Sequence, residues 1–250
     1  MSAKPQDAHA FAKVSQQLLA GDDPQAVLRA VVDLAVHTIG PCDYAGISLR
    51  HGGGLVDTPA MTDPIVGEAD SLQYQLGQGP CLDALSLAES YVIQDLHVED
   101  RWPRWAPGAA ALGLRSVLSV RLQTADRVVG GLNLYSAKPY AFTEDDVVTG
   151  HIYAIHASTA IRQTQDKHGL RIALTTRHQI GIAQGLLMAH YDIDEDAAFE
   201  VLRRISSHHN VKLRDVAAAV QDHRGRMREL AWLTSRDEGP APRPEPRRAS

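Results

Sequence analysis

Between Arg177 and Val220 the chain carries Arg177, Arg203, Arg204, Lys212 and Arg214, set among apolar residues, small residues and carboxylates. Cations spread over helical patterns do not break bonds; they recognise anions, phosphate above all. Arg177, Gly181, Gln184 and Met188 follow one another at steps of four, three and four, which puts them on one helix face. A glycine inside a helix costs about 1 kcal/mol relative to alanine, so Gly181 and Gly185 need a reason. One reason is close approach of a nucleic-acid backbone, with Arg177 and Gln184 as donors. The other is close helix–helix packing through Gly-x-x-x-Gly, and spacing alone leaves both open. Lys212 and Arg214 fall at the start of a later helical pattern, where backbone N–H groups and two cations can hold a phosphate. Taken singly, each is equally a solvated surface residue.

Bond-making chemistry finds little support elsewhere. The chain has no GxSxG, no Walker A loop, no HExxH and no G-x-G-x-x-G with a following acid, so no enzymatic activity is expected. His51-Gly-Gly-Gly54 lacks a nucleophile elbow to serve and reads as a hairpin turn. Cys81, after Gly79-Pro80, has the position of a redox or bilin-carrying thiol but no flanking base or second thiol; a buried structural cysteine is the better reading. His97, His151 and His156 match no metal spacing, and no cofactor can be named.

These residues sit in a chain of 250 residues, 44% apolar and 22% charged, long enough for one sizeable domain and a smaller one. There is no run of eighteen apolar residues and no secretory start, and two cysteines without CxxC suit a reducing compartment; the expectation is a cytoplasmic protein off the membrane. The net charge of −5 is uneven: −7 over residues 1–169, −1 over 170–223 and +3 over 224–250, so a polyanion would meet the last third.

The elements read as follows. An amphipathic helix covers 6–20, with Phe11, Val14, Leu18 and Leu19 on one face. Asp23-Pro24 opens a second helix that Gly40-Pro41 stops. Strands are expected over 44–49, 91–95, 116–122 and 128–135, with short helices after Gln78-Gly-Pro and over 108–112. A helix runs from Thr143, in a capping-box pattern with Asp146, to about Lys167. In it Val147, His151, Ala154, Ser158 and Ile161 alternate by four and three, the spacing of a two-helix seam; packing on the domain's own sheet is the simpler alternative. Three helical patterns close the ordered part. The first has a core stripe of Ile172, Thr176, Ile180, Ala183 and Leu187. The second buries Ala198, Phe199, Leu202 and Ile205, and the third is capped by Asn210. The Pro- and Arg-rich end is expected to be disordered.

The motifs QYQLGQGPCLDAL (73–85), VIQDLHVEDRWPRWA (92–106), LGLRSVLSVRL (112–122) and VVGGLNLYSAKPYAFTEDDV (128–147) resemble those of GAF domains common in actinobacterial regulators. Ile180-Gly-Ile-Ala-Gln-Gly-Leu-Leu-Met188, Asp194–Arg204 and Asn210–Ala217 are similar to the three helices of an ANTAR domain, with Gln184 where relatives commonly carry Lys. The implied fold is α+β: a GAF domain with a central antiparallel sheet and helices, joined by a long helix to a three-helix ANTAR domain. The implied boundaries are an N-terminal helix over 1–20, a sensor over 21–165, an RNA-binding domain over 166–225 and a basic tail over 226–250. The resemblance implies a homodimeric transcription antitermination regulator that binds RNA stem-loops with hexanucleotide loops, one loop per module. A signal, such as a small molecule in the GAF pocket, would act through helix pairing. The RNA-facing residues would be Arg177, Gly181, Gln184, Gly185, Met188, Lys212 and Arg214. The competing reading is a small-molecule or redox sensor whose helical module binds a protein. The Asn133–Asp146 stretch lacks the adjacent Asn-Lys of cyclic-nucleotide GAF domains, and no such ligand is expected.

Overall fold

The computed structural model describes residues 16, 18, 19 and 21–222. The expected 6–20 helix therefore falls mostly outside the described residues, as does the basic tail; Leu18 is buried and Leu19 exposed. The chain divides into two compact units at Gly169–Leu170.

The first unit is α+β. Helix α1 (Pro24–Thr38) starts as expected: Asp23 accepts the Ala26 N–H at 2.9 Å and proline takes the first turn, where an N–H would have no partner. Strands β1 (Tyr44–Arg50), β2 (Val56–Met61), β3 (Ser90–Ile93), β4 (Ser116–Gln123) and β5 (Val128–Ser136) form one antiparallel sheet in the order β2-β1-β5-β4-β3. Helices α2 (Pro64–Leu76), α3 (Pro80–Ala84) and α4 (Ala106–Ala111) belong to the same unit. Neither β2 nor α2 was expected from the sequence. Yet Asp63-Pro64 repeats the Asp23-Pro24 start, with Asp63 accepting the Ile65 N–H at 3.0 Å. Pro59 is tolerated because β2 is an edge strand, paired only with β1.

The period-2 alternation of the strands makes the two sheet faces chemically different. Ala45, Ile47, Leu49, Leu118, Val120, Leu122, Leu132 and Leu134 face α1 and the long helix α5 (Glu144–Tyr191) in an apolar core. The alternate residues Ser48, Ser119, Asn133 and Tyr135 point the other way, and all four are buried. On that side Trp105 anchors α4 to α2, its indole N–H donating to the Ala69 carbonyl at 3.0 Å.

The capping box at the start of α5 is formed: the Thr143 N–H donates to Asp146 at 2.8 Å, and the Asp146 N–H to Thr143 Oγ1 at 3.3 Å. Its expected end near Lys167 is corrected. No proline or capping residue interrupts the chain there, Arg162 and Asp166 pair at 2.7 Å across one turn, and a lone Gly169 costs too little to stop a helix. The seam reading is also corrected, because Ala154, Ser158 and Ile161 are buried in the unit's own core and Tyr153 donates to the Val31 carbonyl at 2.6 Å. What faces outward instead is a neighbouring row, with Val148 57% and Ile155 62% exposed.

Among the described residues, the second unit holds the C-terminal part of α5 with α6 (Glu195–His209) and α7 (Leu213–Asp222). Its core is Ala183, Leu187, Ala198, Leu202, Val216, Ala217 and Val220. Gln221 ties the end of α7 to α5 by donating to the Gln179 carbonyl at 2.8 Å. Asp194 caps α6 by accepting the Ala197 N–H at 2.8 Å. Three expectations fail. Ile172 is exposed, because the three-helix core begins only at Ile180. Phe199 is 37% exposed. Asn210 ends α6 rather than starting α7. It sits in the left-handed region at φ 51°, which asparagine tolerates, and Lys212 takes the N-cap position of α7, its carbonyl accepting from Val216 at 3.2 Å.

Candidate functional site

In the second unit, Arg177, Ile180 and Gln184 from α5 and Glu195, Asp196 and Phe199 from α6 line a groove of about 560 Å³. Gln184 fixes its wall, donating from Nε2 to the Glu195 carbonyl at 3.3 Å. The structure thus brings together two of the residues expected at the interface. Gly181, on the same helix, is exposed, and so is Gly185; a Cβ added at either meets nothing within 4 Å. The helix-packing explanation of these glycines therefore fails for the described chain, because no other helix of it approaches them. Met188 is half-buried and packs against the three-helix core, and it does not line the groove. Lys212 and Arg214 are exposed at the start of α7 and do not line the groove; Arg214 lies 3.4 Å from Asp215.

Phe199 was missed. The buried residues of α6 run Ala198, Leu202, whereas Phe199 lies on the row Glu195, Phe199, Arg203, a charged row at helical spacing that signals exposure. Past it, Arg203 pairs with Glu200 through two guanidinium nitrogens at 2.7 and 3.0 Å, which lowers the Glu200 pKa and raises that of Arg203.

The other chemically notable place is the polar face of the sheet. The Asp70 carboxyl, fully buried, accepts hydrogen bonds from Tyr135 Oη at 2.5 Å, Thr58 Oγ1 at 2.9 Å, and the side-chain amides of Asn133 and Gln73 at 3.2 Å. Ser48 and Tyr74 extend the network at 2.7 Å. Burial pushes the Asp70 pKa up despite these donors, and raises Tyr135 as well. Among the described residues every buried side-chain polar atom has a partner.

The motif QLGQGPC serves this network. Gly77 ends α2 in the left-handed region at φ 61°, and Gly79, at φ 153°, lies against Gln73, where a Cβ would collide with Oε1. Gln73 Oε1 can then accept the Cys81 N–H at 2.9 Å. Cys81 and Cys42 are both buried and free, and burial pushes each thiol up to about 12. Both should resist a thiol reagent at pH 8 in the native protein and react stoichiometrically once it is unfolded in denaturant. Fast labelling of the native protein would contradict their burial.

The loop between β3 and α4 is held by Asp95, which Arg115 binds at 2.9 Å and whose pKa that hydrogen bond holds down at about 2. Among the described residues no three His, Cys, Asp or Glu side chains group as a metal site, and no helix is long and apolar enough to cross a membrane.

The GAF domain family profile matches residues 21–162, and the ANTAR domain profile matches residues 168–220. No curated protein matches the chain. Among solved structures, the GAF domain of a phosphoenolpyruvate-protein phosphotransferase from Coxiella burnetii is 16% identical over 67% of this chain and 99% of that one, with a TM-score of 0.52. The free methionine-R-sulfoxide reductase from Neisseria meningitidis, in complex with its substrate, is 16% identical over 66% of this chain and 96% of its own, with a TM-score of 0.51. A bacteriophytochrome from the photosynthetic bacterium R. palustris gives a TM-score of 0.59 at 10% identity; the match covers 74% of this chain and 43% of that protein. At such identities the likeness is one of fold. GAF and ANTAR domains are typically regulatory, although the reductase among these neighbours is an enzyme. The chain belongs to the GAF family, and its GAF domain is followed by an ANTAR domain.

Proposed function

We propose that this protein is a non-catalytic, cytoplasmic transcription antitermination regulator whose ANTAR module binds stem-loops of nascent RNA under control of its GAF domain. The observation that carries the reading is the open surface at Gly181 and Gly185, beside Arg177 and Gln184. Two helix-weakening residues persist where nothing in the described chain needs them, on a face with donors suited to a phosphate backbone. Lys212 and Arg214, at the first turn of α7, supply a second set of cations.

The proposed homodimer is supported by exposed apolar residues on α5 in each unit: Val148 and Ile155 in the first, Leu170 at 62% and Leu174 at 60% in the second. A second copy would remove such residues from water. A monomer by light scattering, with and without RNA, would reject the dimer.

The direct test is titration with an RNA carrying two stem-loops. Affinity should fall steeply as salt rises, because phosphate contacts release counterions. Arg177→Ala with Lys212→Ala should weaken binding and flatten the salt slope; unchanged binding would show that this face is wrong.

Gly181→Ala separates fold from function. In the free protein it should be stabilising, by roughly 0.4–1 kcal/mol, because the site is helical and open. In the RNA titration it should be damaging, by about tenfold in Kd, if a backbone lies close. Denaturant melts and binding curves on one preparation read both effects, and a stabilised variant with undiminished RNA affinity would refute the close approach.

A further inference from the structure

We infer that the groove between α5 and α6 is a pocket for a single unpaired RNA base, with Phe199 as its stacking platform. The inference rests on the RNA-binding reading above and adds to it the chemical group recognised and the residue that recognises it.

Phe199 is the first observation. An aromatic ring on a helix whose neighbours Ala198 and Leu202 are fully buried has an apolar core within reach, yet its ring lies in the groove and 37% of the residue stays exposed. Phe199 is thus an accessible aromatic side chain in the groove lining, and unstacked bases bind proteins by stacking on aromatic rings.

The charge pattern is the second. Arg177 stands on the α5 side, while Glu195 and Asp196 stand on the α6 side. Two carboxylates repel phosphate, so the acidic side of the groove does not suit the backbone. Carboxylates do accept from N–H groups on base edges, and the exocyclic amine of adenine, cytosine or guanine provides them. Arg177, across the groove, suits the phosphate of the same or the next nucleotide. The arrangement favours an amino-bearing base over uracil.

Size and rigidity are the third. About 560 Å³ lies in the range of small-molecule clefts and admits a base with its ribose. The Gln184–Glu195 hydrogen bond joins the two walls, so the groove exists before anything binds.

The experiment uses the full chain and a two-stem-loop RNA in which 2-aminopurine replaces each unpaired loop base in turn. For the wild-type protein, one loop position should show a fluorescence change on binding, and an abasic site there should weaken binding about tenfold. Phe199→Leu, which keeps apolar bulk, should lose the fluorescence change and bind about tenfold more weakly with an unaltered salt slope; Phe199→Tyr should restore both. Thermal melts of each variant verify that it is folded. If Phe199→Leu binds as tightly as wild type, with the same fluorescence change, the pocket is refuted while salt-dependent RNA binding stands. If wild type binds neither stem-loop, the RNA reading fails and the pocket with it.

Discussion

Replacing Asp70 with alanine is expected to be among the most damaging single changes to the GAF domain, costing about 2–5 kcal/mol. The carboxyl lies against the polar sheet face, and its loss strips the acceptor from Tyr135 Oη and leaves Gln73 Nε2 only a 3.5 Å bond to that hydroxyl, while opening a cavity among fully buried neighbours. Thr58 and Asn133 suffer less, because Tyr74 and Ser48 also bond them. Asp70→Asn keeps the volume and should cost distinctly less than alanine. Urea titrations followed by tryptophan fluorescence, in a Trp232→Phe background so that Trp102 and Trp105 report, would measure both; an alanine variant as stable as wild type would refute the network's role.

The same carboxyl sets a pH dependence. Its pKa is raised on folding, so the folded state holds this proton more tightly than the unfolded chain. Its contribution is complete below the unfolded value of about 3.9 and is lost as pH rises through the higher folded value. Asp95, held down at about 2, acts in the opposite sense, so the whole-protein profile mixes signs. The difference between wild type and Asp70→Asn isolates the Asp70 part, and it should move against wild type as pH rises.

Leu202→Ala is the second large effect. Leu202 is fully buried in a core that counts seven buried apolar residues among the described residues, and truncation of such a leucine costs about 2–5 kcal/mol. A core of that size holds little stability in reserve. The variant should lose helical circular dichroism and RNA binding together at moderate temperature. The Trp102/Trp105 transition should stay in place, because both indoles belong to the first unit. A shift of that transition equal to the helical loss would mean that the two units melt as one.

What could be read from the sequence followed from how closely each element obeys its own period. Helix α1, the capping box on α5, and strands β4 and β5 carry clean caps and alternation, and the structure holds them nearly where expected. Helix α2 was invisible for a physical reason. Its inward face carries Asp70 and Gln73 beside Val66 and Ala69, so the buried side does not read as an apolar stripe. The helix residues that bond to the polar sheet face are those that hid the helix bearing them. In the second unit, the positions of Arg177 and Gln184 followed from spacing alone. The groove did not, because it depends on which face of α6 turns to α5, and one residue of rotation separates the buried Ala198 from the exposed Phe199.

The polar face of the GAF sheet is complete by itself, since each buried side-chain nitrogen and oxygen there already has a partner. Any molecule entering it would therefore exchange bonds rather than add them, and its net gain would be small. Discrimination would be sharp, because a guest that failed to match one displaced partner would leave a buried group without a bond. Such a face favours fidelity over tenacity: a guest there would be chosen for its match to the displaced partners and held only weakly.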